Sequence, residues 1–288
     1  MNLAHRIHGR GPALLLVAGT GFPGATWPPE TTERLSRDLT VITFDQRGTG
    51  DTSGTPGPYG TRTFAADAAA LLRRLGAGPA HVLGHSMGGR VAQWIALDAP
   101  DLVASLVLAA SGPGAFRPDQ PRSSGVPPST RERLAKLGYE RFMAAHIRQT
   151  FFTAEFAEAR PERVSWLVSA FWSHRPSLGN YLKHVAARQR HRTTHLLERI
   201  GVPTLVVVGD RDTHVGGTGS HLAQSQYLAA HLPAAELRTI SGASHGLFWE
   251  EPDETVAVIS EWLRKVPARP PATRPARSTA ASPSTARR

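Results

Sequence analysis

Cysteine is absent from the 288-residue chain, and methionine occurs only three times. Without cysteine there is no disulfide framework, no thiolate metal site and no cysteine nucleophile, so serine must carry any covalent chemistry; the redox compartment is left open. Long apolar runs are missing too, and none approaches the roughly 20 residues that span a bilayer. Arg6 and Arg10 precede the apolar stretch Ala13 to Ala18. That stretch is shorter than the roughly 7 to 15 residues of a secretory h-region. The expectation is a soluble, cytoplasmic protein with no membrane partner. Lysine is scarce, with Lys136, Lys183 and Lys265 the only three among 33 cations, so arginine carries the formal charge of +10. Five of these charges (Arg269, Arg274, Arg277, Arg287 and Arg288) lie in an acid-free tail after Val266, which leaves the body near +5. That body has no aromatic-basic interleaving and no recognition-helix signature, so nucleic acid is not an expected partner.

What is present is a rhythm of short Val/Leu/Ile-rich runs: Ala13 to Ala18, Thr40 to Phe44, Ala80 to Leu83, Ser105 to Ala109, Thr204 to Val208 and Glu236 to Ile240. Continuous rather than alternating apolar strands indicate an α/β fold, with a mostly parallel sheet covered by helices on both faces. The intervening patterns predict helices over Phe64 to Leu75, Arg90 to Leu97, Leu222 to His231 and Glu254 to Lys265. The rhythm breaks after Ala110. The expected organisation is a core over residues 1–112 and 200–265, a helical cap insertion over 113–199, and a Pro/Arg/Ser/Thr-rich tail over 266–288 with almost nothing to bury, expected to be disordered. The insertion carries Phe142, Phe151, Phe152, Phe156, Trp166, Phe171 and Trp172, and between Pro113 and Glu198 it has 14 Arg/Lys against 7 Asp/Glu. A solvated face explains that excess as well as an acidic substrate does.

The stretch Gly84-His85-Ser86-Met87-Gly88-Gly89 lies between a predicted strand and a predicted helix. In such a strand-turn-helix the serine occupies a strained, exposed turn, and the flanking glycines let strand and helix approach. Ser86 is therefore the candidate nucleophile. A serine hydroxyl needs a histidine base, and the histidine needs a carboxylate to fix its tautomer. Gly209-Asp210-Arg211-Asp212 puts two carboxylates at the end of one strand, and Ser241-Gly242-Ala243-Ser244-His245-Gly246 puts His245 at the end of the next. The chain order is serine, aspartate, histidine.

Together with Asp45-Gln46-Arg47-Gly48-Thr49-Gly50-Asp51-Thr52-Ser53, these motifs resemble the α/β-hydrolase family over nearly the whole chain except the tail. The resemblance implies the α/β-hydrolase fold and, from the pattern Gly-x-x-Asp, Asp212 rather than Asp210 as the acid. It implies an oxyanion hole made by the backbone N–H of Met87 and a second N–H from the loop at Ala18 to Gly24, assigned to Thr20 with Gly21 as the alternative. The family's usual histidine before the glycine of that loop is Ala18 here. Asp45 and Arg47 read as structural, and His85 as a support of the turn rather than a base. A competing dinucleotide reading comes from Gly19-x-Gly21-x-x-Gly24 with Asp45 beyond it, but Pro23, Pro28 and Pro29 oppose the helix it needs. His214 and His221 near Asp212 show no recurring metal-ligand spacing.

The chemistry these residues imply is hydrolysis of a carboxylic ester or lactone through an acyl-serine, with a small-molecule acyl substrate and no cofactor or metal. Serine at the turn argues against the branches of the family that use aspartate as nucleophile. Thioesterase, prolyl aminopeptidase-like, carbon–carbon bond hydrolase and cofactor-free perhydrolase activities remain alternatives, as does a non-hydrolytic cyclase, lyase or binding protein on the same fold. The oligomeric state is not legible.

Overall fold

A computed structural model of the chain describes residues 2–52, 54, 56–116, 125–213 and 219–266. The tail beyond Val266, part of the proline-rich segment at 112–128, and His214 lie outside the described residues. Seven strands are found among them: β1 (His5–His8), β2 (Ala13–Val17), β3 (Thr40–Phe44), β4 (Ala80–His85), β5 (Val103–Ala109), β6 (Thr204–Gly209) and β7 (Ala235–Ile240). They form one sheet in the order β1-β3-β2-β4-β5-β6-β7, in which β1 runs antiparallel to β3 and every other neighbouring pair is parallel.

The continuous apolar runs bury both faces of the sheet because successive side chains point to opposite sides. Leu14, Leu16, Val41, Leu83, Val107, Leu205 and Val207 enter one core. Their neighbours Leu15, Val17, Ile42, Val82, Leu106, Leu108 and Val206 enter the other. Helices α1 (Pro29–Leu35) and α10 (Pro252–Lys265) cover the first face, whereas α2 (Thr61–Leu75), α3 (Met87–Asp98) and α8 (His221–His231) cover the second. A short helix, α9 (Leu247–Glu250), follows the loop after β7.

Four helices stand between β5 and β6: α4 (Pro128–Phe151), α5 (Ala154–Ala159), α6 (Pro161–Ser173) and α7 (Leu178–Gln189). Proline opens α4 and α6 at a position where the missing N–H costs nothing. Gly138 kinks α4 with φ 75° and ψ 164°. Phe142, Met143, Ile147, Phe151, Leu167, Phe171 and Val185 join these helices to the first core. No helix of the described residues is long and apolar enough to cross a membrane.

Two elements differ from the sequence expectation. The sequence pattern does not predict strand β1, because His5-Arg6-Ile7-His8 is a largely exposed edge without an apolar run. Helix α3 begins at Met87 rather than near Arg90, so it includes Gly88 and Gly89. Those glycines are weak helix formers, and the close packing described below keeps them there.

Candidate active site

Strand β4 ends at His85 and α3 begins at Met87, leaving Ser86 alone between them with φ 56° and ψ −119°. A non-glycine residue there costs on the order of 1–3 kcal/mol and persists only where its surroundings over-determine it. They do so here: the Ser86 N–H donates to the Ala109 carbonyl (2.9 Å), and the Ser111 hydroxyl donates to the Ser86 carbonyl (2.7 Å). A Cβ on Gly84 would strike the Gly88 carbonyl, and one on Gly88 would strike the Val17 carbonyl. The two glycines are what allow the strand and helix to close this tightly.

The loop after β7 brings His245 to Ser86, with 3.0 Å between His245 Nε2 and Ser86 Oγ. On the other side of the ring, His245 Nδ1 lies 2.9 Å from Asp212 Oδ2. A carboxylate can only accept, so Nδ1–H donates to Asp212 and Nε2 is left to accept the serine proton. Asp210 serves a different purpose: its Oδ1 accepts the Gly242 N–H at 2.9 Å, tying the β6 and β7 loops together. Asp212 is 1% exposed. Burial alone would raise its pKa, yet the charges and hydrogen bonds of His221 and His245 hold it below the ordinary carboxylate range. Ser86, His245 and Asp212 thus form one hydrogen-bonded line across the C-terminal ends of β4, β6 and β7, the edge where open α/β sheets bind ligands.

The alpha/beta hydrolase fold family matches residues 12–252. The chain belongs to that family. It is similar to a protein of Agrobacterium fabrum with the provisional name carbamate hydrolase RutD, 31% identical over 252 residues, covering 86% of this chain and 92% of that one. Among solved structures, a thermophilic esterase from Thermogutta terrifontis is 28% identical with a TM-score of 0.77, covering 92% of this chain and 93% of that one. Est816, an N-acyl homoserine lactone degrading enzyme, is 26% identical with a TM-score of 0.73, covering 90% and 96%. Family and relatives assign the chain to the hydrolases.

Around the line of three, this α/β hydrolase spends several buried polar groups on support. His85 lies under His245 and its Nε2–H donates to the His245 carbonyl at 2.8 Å. Burial first, then the neighbouring His245, lowers the pKa of His85 to about 3, so the ring is neutral. Glu250 accepts from the Ser244 N–H (2.5 Å), the Ser244 hydroxyl (2.7 Å) and, from the start of α5, the Thr153 N–H (2.6 Å). It pins the histidine loop to the helices above. Asp45 accepts from Gly24 N–H (2.8 Å) and Asp51 N–H (2.9 Å). Gln46 donates to the Ala18 carbonyl at 2.9 Å. Arg47 forms a two-pronged pair with Asp67 at 2.6 and 2.8 Å. These contacts brace the loop after β2, and they occupy the very aspartate that a dinucleotide reading would offer to a ribose. That loop also makes only a three-residue 3-10 turn at Gly24–Thr26.

The loop turns through Gly19 to Phe22, closed by Phe22 N–H to the Gly19 carbonyl (3.2 Å), with φ +73° at Gly21. The backbone N–H groups of Thr20, Gly21 and Met87 have no hydrogen-bond partner among the described residues. Thr20 and Ser86 line the same cavity, of about 310 Å³. Phe142 and Phe151 line it too, whereas Phe152, Trp166 and Trp172 are not among the described lining residues.

Sequence reasoning gave His221 no role. The structure stacks its ring on His245, with centroids 4.2 Å apart, and brings its Nδ1 to 3.3 Å from Asp212 Oδ1. Burial outweighs Asp212 and lowers its pKa to about 4. Asp212 therefore accepts from two imidazoles, one on each oxygen. The ligand atoms of Asp212, His221 and His245 lie within 4.8 Å of one another, close enough for a cation. Both carboxylate oxygens already accept N–H groups, so a cation would have to displace them.

Proposed function

We propose that this hydrolase cleaves a carboxylic ester or lactone through an acyl-Ser86 intermediate. Ser86 Oγ attacks the carbonyl carbon while its proton passes to His245 Nε2, and Asp212 stabilises the imidazolium that forms. The carbonyl oxygen takes up the negative charge and accepts from the Met87 and Thr20 amides. Collapse expels the alkoxide, which takes the proton from His245. Water, deprotonated in turn by His245, then releases the acid and restores Ser86.

The observation that carries this reading is the unbroken line Ser86–His245–Asp212, at 3.0 and 2.9 Å, opening into a cavity of about 310 Å³. The esterase and lactone-degrading relatives support the same substrate class. Helices α4 to α7 would act as the cap that shapes the acyl pocket. A fluorophosphonate probe followed by intact mass and peptide mapping tests the mechanism. One adduct on Ser86, abolished by His245→Ala, is expected; folded protein that takes no adduct, or takes it elsewhere, overturns the acyl-serine reading.

The name of the Agrobacterium relative favours a second substrate. A carbamate ester would lose its alcohol to form a carbamoyl-serine at the same residues, and hydrolysis would give a carbamic acid that breaks down to amine and carbon dioxide, so amine and carbon dioxide in place of a carboxylic acid separate the two.

A further inference from the structure

Helix α7 presents Tyr181, Val185, Arg188 and Gln189 to the cavity, the spacing of a single helical face. The cavity also receives Arg90 from α3 and Arg133 from α4, and none of the described residues that line it is an aspartate or glutamate. The cations differ in what they already hold. Arg133 donates to Gln149 at 2.9 Å and lies over the Phe142 ring. Arg90 is 3% exposed and donates to the Arg188 carbonyl (2.8 Å) and to Gln224 Oε1 (3.1 Å). The Arg188 guanidinium makes neither a hydrogen bond nor an ion pair among the described residues. Burial disfavours its charged form, and the charge of Arg188 in turn helps depress Arg90.

Two guanidinium groups that feel one another beside a cavity with no acid among its described lining residues are costly to keep unless something negative joins them. A guanidinium also offers a planar fork that matches a carboxylate two-prong to two-prong. Arg188 is half-buried and lines the same cavity as Ser86 and His245, so whatever occupies that cavity meets its side chain.

We propose that Arg188, backed by Arg90, is an anion subsite for a carboxylate carried by the substrate, so that the enzyme's substrates are hydrogen esters or lactones with a second, free acid group. This deepens the ester and lactone reading above and rests on it for the position of the scissile bond. The acid group would be the part of the substrate that does not react, held so that the acyl carbon meets Ser86.

The test uses the full chain and paired substrates: monomethyl succinate, glutarate and adipate against methyl butanoate, pentanoate and hexanoate, which carry a methyl in place of the acid. At the chain length that fits, the ratio of kcat/KM for the acid-bearing ester over its neutral partner should fall by about 10- to 100-fold in Arg188→Met, with Arg188→Lys in between. A ratio unmoved in both variants, or no preference for the acid at any length, overturns the subsite. Turnover of neither series by the wild-type protein would instead count against the ester reading. The subsite is then decided by binding alone: glutarate should protect wild-type protein from thermal unfolding and fail to protect Arg188→Met. Equal protection of both, or protection of neither, overturns it. Far-UV circular dichroism establishes that each variant is folded.

Discussion

Acid should unfold this protein early, and buried histidines are the reason. His85 is lowered to a pKa of about 3, and His184 and His221 to about 4, from an ordinary value of 6.5, in each case mainly by burial. His191 is lowered in the same sense. The unfolded chain therefore binds more protons than the folded one across the interval from about pH 6.5 down to about 4, and stability rises with pH over it. The contribution is complete above about pH 6.5 and is lost as pH falls. At about pH 5 an unfolded histidine is almost fully charged, so each of the three numbered groups withdraws about 2 kcal/mol, and together about 6 kcal/mol. That is comparable with a typical domain stability of about 5–15 kcal/mol. Asp212, held below its ordinary 3.8, adds its own loss only at lower pH. Urea unfolding followed by tryptophan fluorescence, at constant ionic strength, should show a drop of about 3–6 kcal/mol between about pH 8 and pH 5. His184 isolates the cause away from the active site: its Nε2–H donates to the Arg47 carbonyl at 2.8 Å and its ring stacks on Phe64. His184→Asn should be less stable at neutral pH yet lose about 2 kcal/mol less on acidification. A change below about 1 kcal/mol over the interval, or a His184→Asn protein with the full wild-type slope, refutes the reasoning.

Five further substitutions follow from the site. Thr20→Pro deletes one candidate oxyanion amide at the second position of a turn that accepts proline, so kcat should fall about 10²- to 10³-fold with little change in melting temperature; retained activity would move the second donor to Gly21. Gly88→Ala drives a methyl into the Val17 carbonyl and should destabilise by about 3 kcal/mol or more, read as a fall in the urea midpoint. Glu250→Gln sets an amide N–H against one of three donors and should cost about 2–4 kcal/mol, together with a loss of turnover because the His245 loop is released. Asp212→Ala should reduce kcat by about 10⁴-fold, as expected for a base that loses its tautomer, whereas Asp210→Ala should stay within about tenfold; equal losses would mean that the two aspartates share the role.

What could be read from the sequence divides along a physical line. The positions marked by glycine were legible, because a backbone that must pass at contact distance admits no other residue, and that need is local. Gly84 and Gly88 therefore marked Ser86, and Gly209, whose Cβ would strike the Ala243 carbonyl, marked the loop that carries Asp212. Parallel strands were legible for a similar reason: burial on both faces demands an uninterrupted apolar run, as in β5 and β6. Edge strand β1 lacks that demand and left no signal. The groups that tune the site were not legible either. His221 reaches Asp212 from nine positions further along the chain, and Glu250 meets Thr153 across 97.

Arg188 shows how far a count can go and where geometry takes over. Fourteen cations against seven acids between Pro113 and Glu198 is equally the signature of a solvated helical face, and most of those cations behave that way: Arg160 pairs with Glu162 and Arg163 with Glu30 at the surface. Composition gives each arginine the same weight. The fold does not, because a half-buried charge that lines the cavity and has no counter-ion among the described residues acquires a preference for what enters it. If Arg188 selects acid-bearing substrates, that selectivity should survive at high salt better than the surface pairs do, since enclosed charges are screened far less than exposed ones. Raising salt from about 0.05 to 0.5 M should therefore leave the ratio of acid-bearing to neutral ester turnover within about threefold. A ratio that collapses toward one would place the selectivity in the general positive field of the helices rather than in the Arg188 guanidinium that lines the cavity with Ser86.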